Sequence, residues 1–292
     1  MTTTRVSART LWKLLEPIHA VTYFSAEPLA ALKAAGYRGF WMGYMAGRSA
    51  PLGRASAELV HALFYNFDFK RVAGALPDAW SFAAPEAALD ARLTGSVAAL
   101  ERLIDESVPA ETIKTAADLA TMAAVNAPME GRPLYAANRA LPIPEEPLAR
   151  LWHAATLLRE HRGDGHVAAL LNAGIAGRAS HILQAASSGT PKAVYEVARD
   201  FTDAEWSAEV DALRSRGLIR HDGALTADGA SVKADLEAHT DALAETAYAV
   251  LTESQLDDLT EALRPITRAV VAGGDIPIAS PMGLNLEEAL AM

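Results

Sequence analysis

Leu213-Arg-Ser-Arg-Gly-Leu-Ile219, His221-Asp-Gly223 and Leu225-Thr-Ala-Asp-Gly229 follow one another almost without a break, and the fold reading starts there. Upstream, residues 191–199 read as a helix, Phe201-Thr202-Asp203 as a turn with Thr202 and Asp203 placed to cap, and 203–216 as a second helix. Downstream, the short His221-Asp222-Gly223 turn closes two brief extended segments and a long helix follows. Helix, turn, helix, two-stranded wing, helix is the order of a winged helix.

Moving outward, the chain contains what reads as the same unit twice. His19-Ala-Val-Thr22 leads to Ala30-Ala-Leu-Lys-Ala-Ala-Gly36 and Gly39, and His153-Ala-Ala-Thr156 leads to Ala168-Ala-Leu-Leu-Asn-Ala-Gly174 and Gly177. Turns at Ser49–Gly53 and Ser187–Pro191, an amphipathic helix, a long Ala/Leu-rich helix and the tails Gly131-Arg-Pro-Leu-Tyr135 and Gly274-Asp-Ile-Pro-Ile278 complete the parallel. The largest departure is four extra residues in the second copy, where Glu160-His-Arg-Gly-Asp-Gly-His166 stands against Ser25-Ala-Glu-Pro28. The bland alternative is a helical array whose halves share only an Ala-rich composition.

Apolar residues recur at three- and four-residue spacing, with Gly and Pro at the joints, so the chain is expected to be mainly α. Helices are predicted over 9–20, 26–36, 56–66, 85–106, 111–125, 147–161, 166–174, 191–199, 203–216, 228–249 and 253–272. Thr252 is a second expected cap, ahead of Glu253 and Gln255. The segment 191–233, with Arg216-Gly-Leu-Ile219 before the wing and Leu225-Thr226-x-x-Gly229 after it, resembles the MarR group of transcription factors. That resemblance implies terminal helices that pack into a dimer and small aromatic ligands held at the dimer axis. Joined to the repeat, it gives a tandem duplication of two MarR-like winged-helix units forming an intrachain pseudo-dimer. The first repeat would be 1–146, aromatic-rich, with a degenerate wing over 67–84; the second would be 147–292, carrying the inserted loop. The whole chain is also similar to an actinobacterial family of helix-turn-helix-labelled proteins of unassigned function. Leu15–Phe24, Gly39–Arg48, Leu151–His166 and Pro281-Met-Gly-Leu284 carry that likeness.

With 292 residues, 51% of them apolar, the chain can bury a sizeable core. It has no cysteine, which removes disulfides, thiolate nucleophiles and Cys-based metal sites. The start Met1-Thr-Thr-Thr-Arg5 lacks an apolar signal core and no run is long enough to span a bilayer, so a cytoplasmic protein is expected, monomeric because its dimer is internal. The formal charge of −10 is uneven: residues 1–146 hold 14 basic and 15 acidic groups, 147–292 hold 12 and 21. The helix 203–216, which would enter a major groove, carries Asp203, Glu205, Glu209 and Asp211 before Arg214 and Arg216. Four carboxylates against phosphates are strongly unfavourable, so DNA is not the expected partner.

Chemistry is expected at 159–166. The helix 147–161 is predicted to end there, to turn through Gly163-Asp164-Gly165 and to restart near His166, with Asp164 capping the next amides. His161 or His166, oriented by Glu160 or Asp164, would be the acid–base group, and Arg159 or Arg162 would hold an anionic substrate group. A metal reading, with His19, His153, His161, His166 and Glu160 as ligands, stays open as the minor alternative to a site with no cofactor. Fourteen of the nineteen aromatic residues lie in the first half, and Tyr23, Trp41, Tyr44 and Arg48 are candidate walls of a substrate pocket between the repeats, with His19 and His153 facing one another on the interface helices. The leading expectation is a small-molecule-binding protein, leaning toward an enzyme of cofactor-independent acid–base chemistry on an apolar or aromatic metabolite. The alternative is a MarR-like ligand-responsive regulator.

Overall fold

The computed structural model describes residues 6–104, 106, 108–278, 280–284 and 286, so the Met1–Arg5 start lies outside the described residues. The chain is mainly helical. In the first half run α1 (Ala8–Phe24), α2 (Ala26–Ala34), α3 (Gly39–Ser49), α4 (Ala57–Phe64), the short α5 (Phe69–Ala73) and α6 (Ala79–Phe82), α7 (Pro85–Ile104), α8 (Ala110–Asn126) and α9 (Pro133–Arg139). In the second come α10 (Pro147–Asn172), α11 (Gly177–Ser188), α12 (Lys192–Arg199), α13 (Asp203–Ser215), α14 (Ala227–Glu245) and α15 (Glu253–Ala272). Local chemistry sets several starts. Thr202 with Glu205 and Thr252 with Gln255 form complete capping boxes on α13 and α15. Glu146 accepts from the amides of Leu148 and Ala149 at 2.9 and 2.7 Å, with Pro147 at the first helical position of α10.

Apolar side chains sort into three cores. The largest joins α1, α7, α8, α10 and α15 and takes residues from both halves, Leu11, Leu14, Ile18, Leu100, Leu151, Trp152, Leu259 and Ile266 among them. A first lobe packs α2 to α6 around Tyr37, Met45, Phe64, Phe67 and Trp80. A second lobe packs the end of α10 with α11 to α14 around Ile175, Tyr195, Phe201 and Leu213. In it, Ile219 and Leu225 form one isolated antiparallel bridge between α13 and α14; where the sequence predicts a two-stranded wing, no strand forms among the described residues.

The two lobes also touch each other. The Tyr65 hydroxyl donates to Ile175 O at 2.7 Å, His181 Nε2 to Asn66 O at 3.0 Å, and Arg178 lies 3.6 Å from Asp68. Arg71 pairs with Asp200 across the same seam. At Gly177 the backbones meet: a Cβ there would lie 2.0 Å from Tyr65 O. Tyr65 itself sits at φ 56°, ψ −52°, a conformation that a bulky residue adopts only when its surroundings force it.

One expectation is overturned. There is no turn at Gly163-Asp164-Gly165: α10 runs unbroken for 26 residues, and neither glycine has positive φ. Gly costs about 1 kcal/mol relative to Ala in a helix interior, but α10 is surrounded by α1, α7, α8, α9 and α14 and cannot unwind without opening the core. Gly165 answers to packing, since a Cβ there would meet Arg132 Nη1 at 2.8 Å and Leu243 Cβ at 3.3 Å. The helices α3, α5, α6, α9 and α11 lie outside the predicted segments; α5, α6 and α9 are too short for a helical period to show in the sequence.

Candidate functional site

Because 159–166 is helix, its side chains are dealt to three faces rather than gathered in a loop. Arg159, Arg162, Gly163, His166, Val167 and Leu170 follow helical spacing and line one cleft of about 540 Å³. Its floor is this stripe with Arg9, Trp12 and Glu16 of α1, and its walls come from both lobes. The first lobe supplies Tyr44, Arg48 and Phe64; the second supplies His181, Gln184 and Arg199, with Lys233, Glu237 and Thr240 from α14. Pro281 to Gly283 close one side. The seam between the lobes therefore borders the same space that the central helix underlies.

Glu160 faces elsewhere, toward the first half. It is 2% exposed and takes Arg159 Nη1 at 2.6 Å and Arg48 through Nε and Nη2 at 3.3 and 3.4 Å. Burial pushes its carboxyl up, but Arg159 and Arg48 overrule this and hold it at about 2. Beside it lies a cavity of about 20 Å³, room for a water, bordered by His19, Tyr23, Tyr44, Arg48, Arg92 and Thr156. There the Thr156 hydroxyl donates to Trp152 O at 2.9 Å, so His19 Nδ1–H donates to Thr156 at 2.9 Å and His19 Nε2 accepts from Tyr23 at 3.1 Å. Burial, reinforced by Arg159, keeps His19 neutral far below its ordinary range. Its partner across the helix pair is thus Thr156, with Trp152 stacked at 6.1 Å, rather than His153.

The third face holds His161 and Asp164, which line neither cavity. His161 packs edge-on to Tyr135 and is pushed down to about 3 by burial and Arg132. Asp164 accepts the Tyr135 amide at 2.9 Å, so it caps α9, a helix from the other half, instead of the amides that follow it in sequence. Burial raises its carboxyl to about 6. Trp41 stacks under Arg71 at 4.2 Å outside the cleft, and His153 is buried with Nε2 unpartnered and pushed down to about 4 by burial.

Of the expected acid–base residues, the cleft reaches His166. Thr240 donates to Leu236 O at 2.7 Å, which makes His166 Nδ1 the donor to Thr240 at 2.9 Å and leaves Nε2 as a lone-pair acceptor. Burial lowers His166 to about 4, so it is a neutral base at physiological pH. The expected substrate residues that border the cleft are Tyr44, Arg48, Arg159 and Arg162. Arg162 lies 2.7 Å from Asp241 and stacks on Trp12, and Arg9 bridges Glu237 and Asp241 at 2.6 and 2.7 Å. The ligands of the metal reading are not brought together, and among the described residues no three His, Asp or Glu side chains converge on one point. Sequence reasoning missed Arg9, Glu16, His181 and Arg199, which sit among other polar residues of α1, α11 and α12 with no local pattern to set them apart.

A family model described as a helix-turn-helix family matches residues 8–277, and the chain belongs to that family. No curated protein and no solved structure matches it. Among the described residues no helix is long and apolar enough to cross a membrane.

Proposed function

We propose that this protein binds a small organic molecule in the cleft between its two lobes. The observation that carries the reading is the cleft itself: about 540 Å³, within the usual size range of ligand sites, floored by one buried helix stripe and walled by both lobes. In this reading His166, which borders the cleft, serves as the acid–base group. The MarR-like tandem duplication fits this reading: α1 packs on α15 as α10 packs on α8, and α2 on α7 as the end of α10 on α14. An internal pseudo-dimer with its lobes joined across a seam encloses the ligand space that two separate subunits would share.

Family membership favours a second reading, a ligand-responsive regulator. Against it, the exposed face of α13 is Asp203, Ala204, Ser207, Ala208, Asp211, Ala212 and Ser215. It carries two of the four carboxylates expected there, since Glu205 turns to Arg178 and Glu209 is half-buried, and Arg220 is already paired with Asp222 at 3.0 Å. Selection of a randomised duplex library on the protein, with sequence enrichment, would favour that second reading.

Native mass spectrometry of the purified protein tests the first. A non-covalent adduct is expected in the wild type and not in Gly163→Leu, whose side chain projects into the cleft. An adduct retained in a folded Gly163→Leu would place the ligand elsewhere. An empty wild type that no organic acid, amine or neutral aromatic stabilises would end the reading.

A further inference from the structure

The charges around the cleft run against those of the chain. Arg9, Arg48, Arg159, Arg162, Arg199 and Lys233 line it, against Glu16 and Glu237, in a protein with 26 basic and 36 acidic residues. Five of the six cations are answered. Arg9, Arg162 and Lys233 pair with Glu237 and Asp241, while Arg48 and Arg159 share Glu160, with Glu16 3.6 Å from Arg159.

Arg199 has no carboxylate partner among the described residues. Its guanidinium lies 4.2 Å over the Phe67 ring, Nη1 donates to the carbonyl of Ala198 at 2.7 Å, and Nε is buried with no partner. The carboxylate next to it in sequence, Asp200, sits at φ 53° and turns outward to Arg71 of the other lobe. Arg48, Arg159 and the Tyr44 phenol line the same cleft as Arg199. A half-buried guanidinium with no carboxylate beside it, in a cleft that two further guanidinium groups line, is unfavourable until an anion completes the set.

We propose that Arg199, with Arg48, Arg159 and Tyr44, forms the anion-recognition end of the cleft, and that the ligand is an organic carboxylate or phosphate whose apolar body lies along Leu63, Phe64 and Leu170. This rests on the small-molecule reading above. The planar fork of Arg199 suits two-point recognition of either oxyanion, and its open Nε is a donor with nothing else to meet. Burial, with Arg48 opposing it further, draws the guanidinium down to about 10, where it is still protonated at physiological pH.

The test titrates the intact protein with 2-naphthoate, 2-naphthyl phosphate and the neutral 2-naphthamide, followed by calorimetry and thermal shift. One or both anions are expected to bind and the amide not, with the stronger anion separating carboxylate from phosphate chemistry. Arg199→Gln should weaken the anion about tenfold or more while melting, unligated, no lower than the wild type. Arg199→Lys should fold and keep part of the affinity. Binding of the amide as tight as the anions overturns the anion site but leaves a ligand cleft standing. Anion affinity unchanged in folded Arg199→Gln overturns it too, and so does the absence of any binding; with no adduct in the native mass spectrum, the cleft reading fails as well.

Discussion

Replacing Glu160 by Gln removes the one carboxylate shared by Arg48 and Arg159 while keeping its shape. Moving a carboxyl from its ordinary value near 4.5 to about 2 corresponds to about 3 kcal/mol of stability at neutral pH, at 1.36 kcal/mol per tenfold in proton affinity. That agrees with the 3–5 kcal/mol typical of breaking a buried pair from one side. For a chain of this size it lowers the melting temperature by about 6 °C. The sign with pH follows from the direction of the shift. A carboxyl held below its unfolded value contributes fully above about 4.5 and loses that contribution as pH falls toward 2, so the deficit of Glu160→Gln shrinks to about 2 kcal/mol at pH 3.5. Urea denaturation of both proteins at pH 7 and 3.5 measures it. A double change, Arg48→Gln with Glu160→Gln, should lose less than the sum of the two single changes, because the second no longer strands a charge. A deficit below about 1 kcal/mol at pH 7, or one that does not shrink in acid, would refute the electrostatic account.

Three further outcomes follow from the same geometry. In α10, Gly163→Ala meets only Glu160 Oε2 at 3.8 Å and should stabilise by up to about 1 kcal/mol, whereas Gly165→Ala meets Arg132 and Leu243 and should destabilise; equal losses in urea melts would restore the turn. At the lobe seam, Gly177→Ala drives a methyl into Tyr65 O and should cost about 1–3 kcal/mol, with faster amide exchange around 65–68 and 177–181; unchanged exchange would mean the lobes do not depend on this contact. Burial lowers His153 and His166 to about 4 and His161 and His181 to about 3. Their unfolded forms take up protons near 6.5, so stability should begin to fall below that pH and go on falling toward 3; a stability profile flat from pH 7 to 5 would contradict those burials.

The elements that the sequence announces are those with a local cause. The capping boxes at Thr202 and Thr252, the Asp222-Gly223 turn with its bridge, and the long periodic helices all rest on residues within a few positions of one another, so their physics can be read along the chain. The cluster Glu160 to His166 reads along the chain as a polar turn, but the segment is continuous helix. Two glycines in three residues look like a turn unless one knows that Arg132 and Leu243 press against Gly165 from elsewhere in the fold. Once the segment is helix, the 3.6-residue period separates groups that a loop would have gathered. His166 goes to the cleft, Glu160 to Arg48 of the first half, and Asp164 to the cap of α9.

Arg199 was invisible for a related reason. In Lys192-Ala-Val-Tyr-Glu-Val-Ala-Arg199 it reads as an ordinary terminal arginine beside an available aspartate. What distinguishes it is that Asp200 is claimed by Arg71 of the other lobe, and that Arg48 and Arg159 have already claimed Glu160. A missing partner is a property of the whole set of pairings and has no local signature. This is also why the seam and the cleft belong to one design. The ion pair between Arg71 and Asp200 spans the seam and commits the carboxylate that follows Arg199 in sequence, so among the described residues the pairing at the seam and the open Arg199 Nε belong to one set of charge assignments.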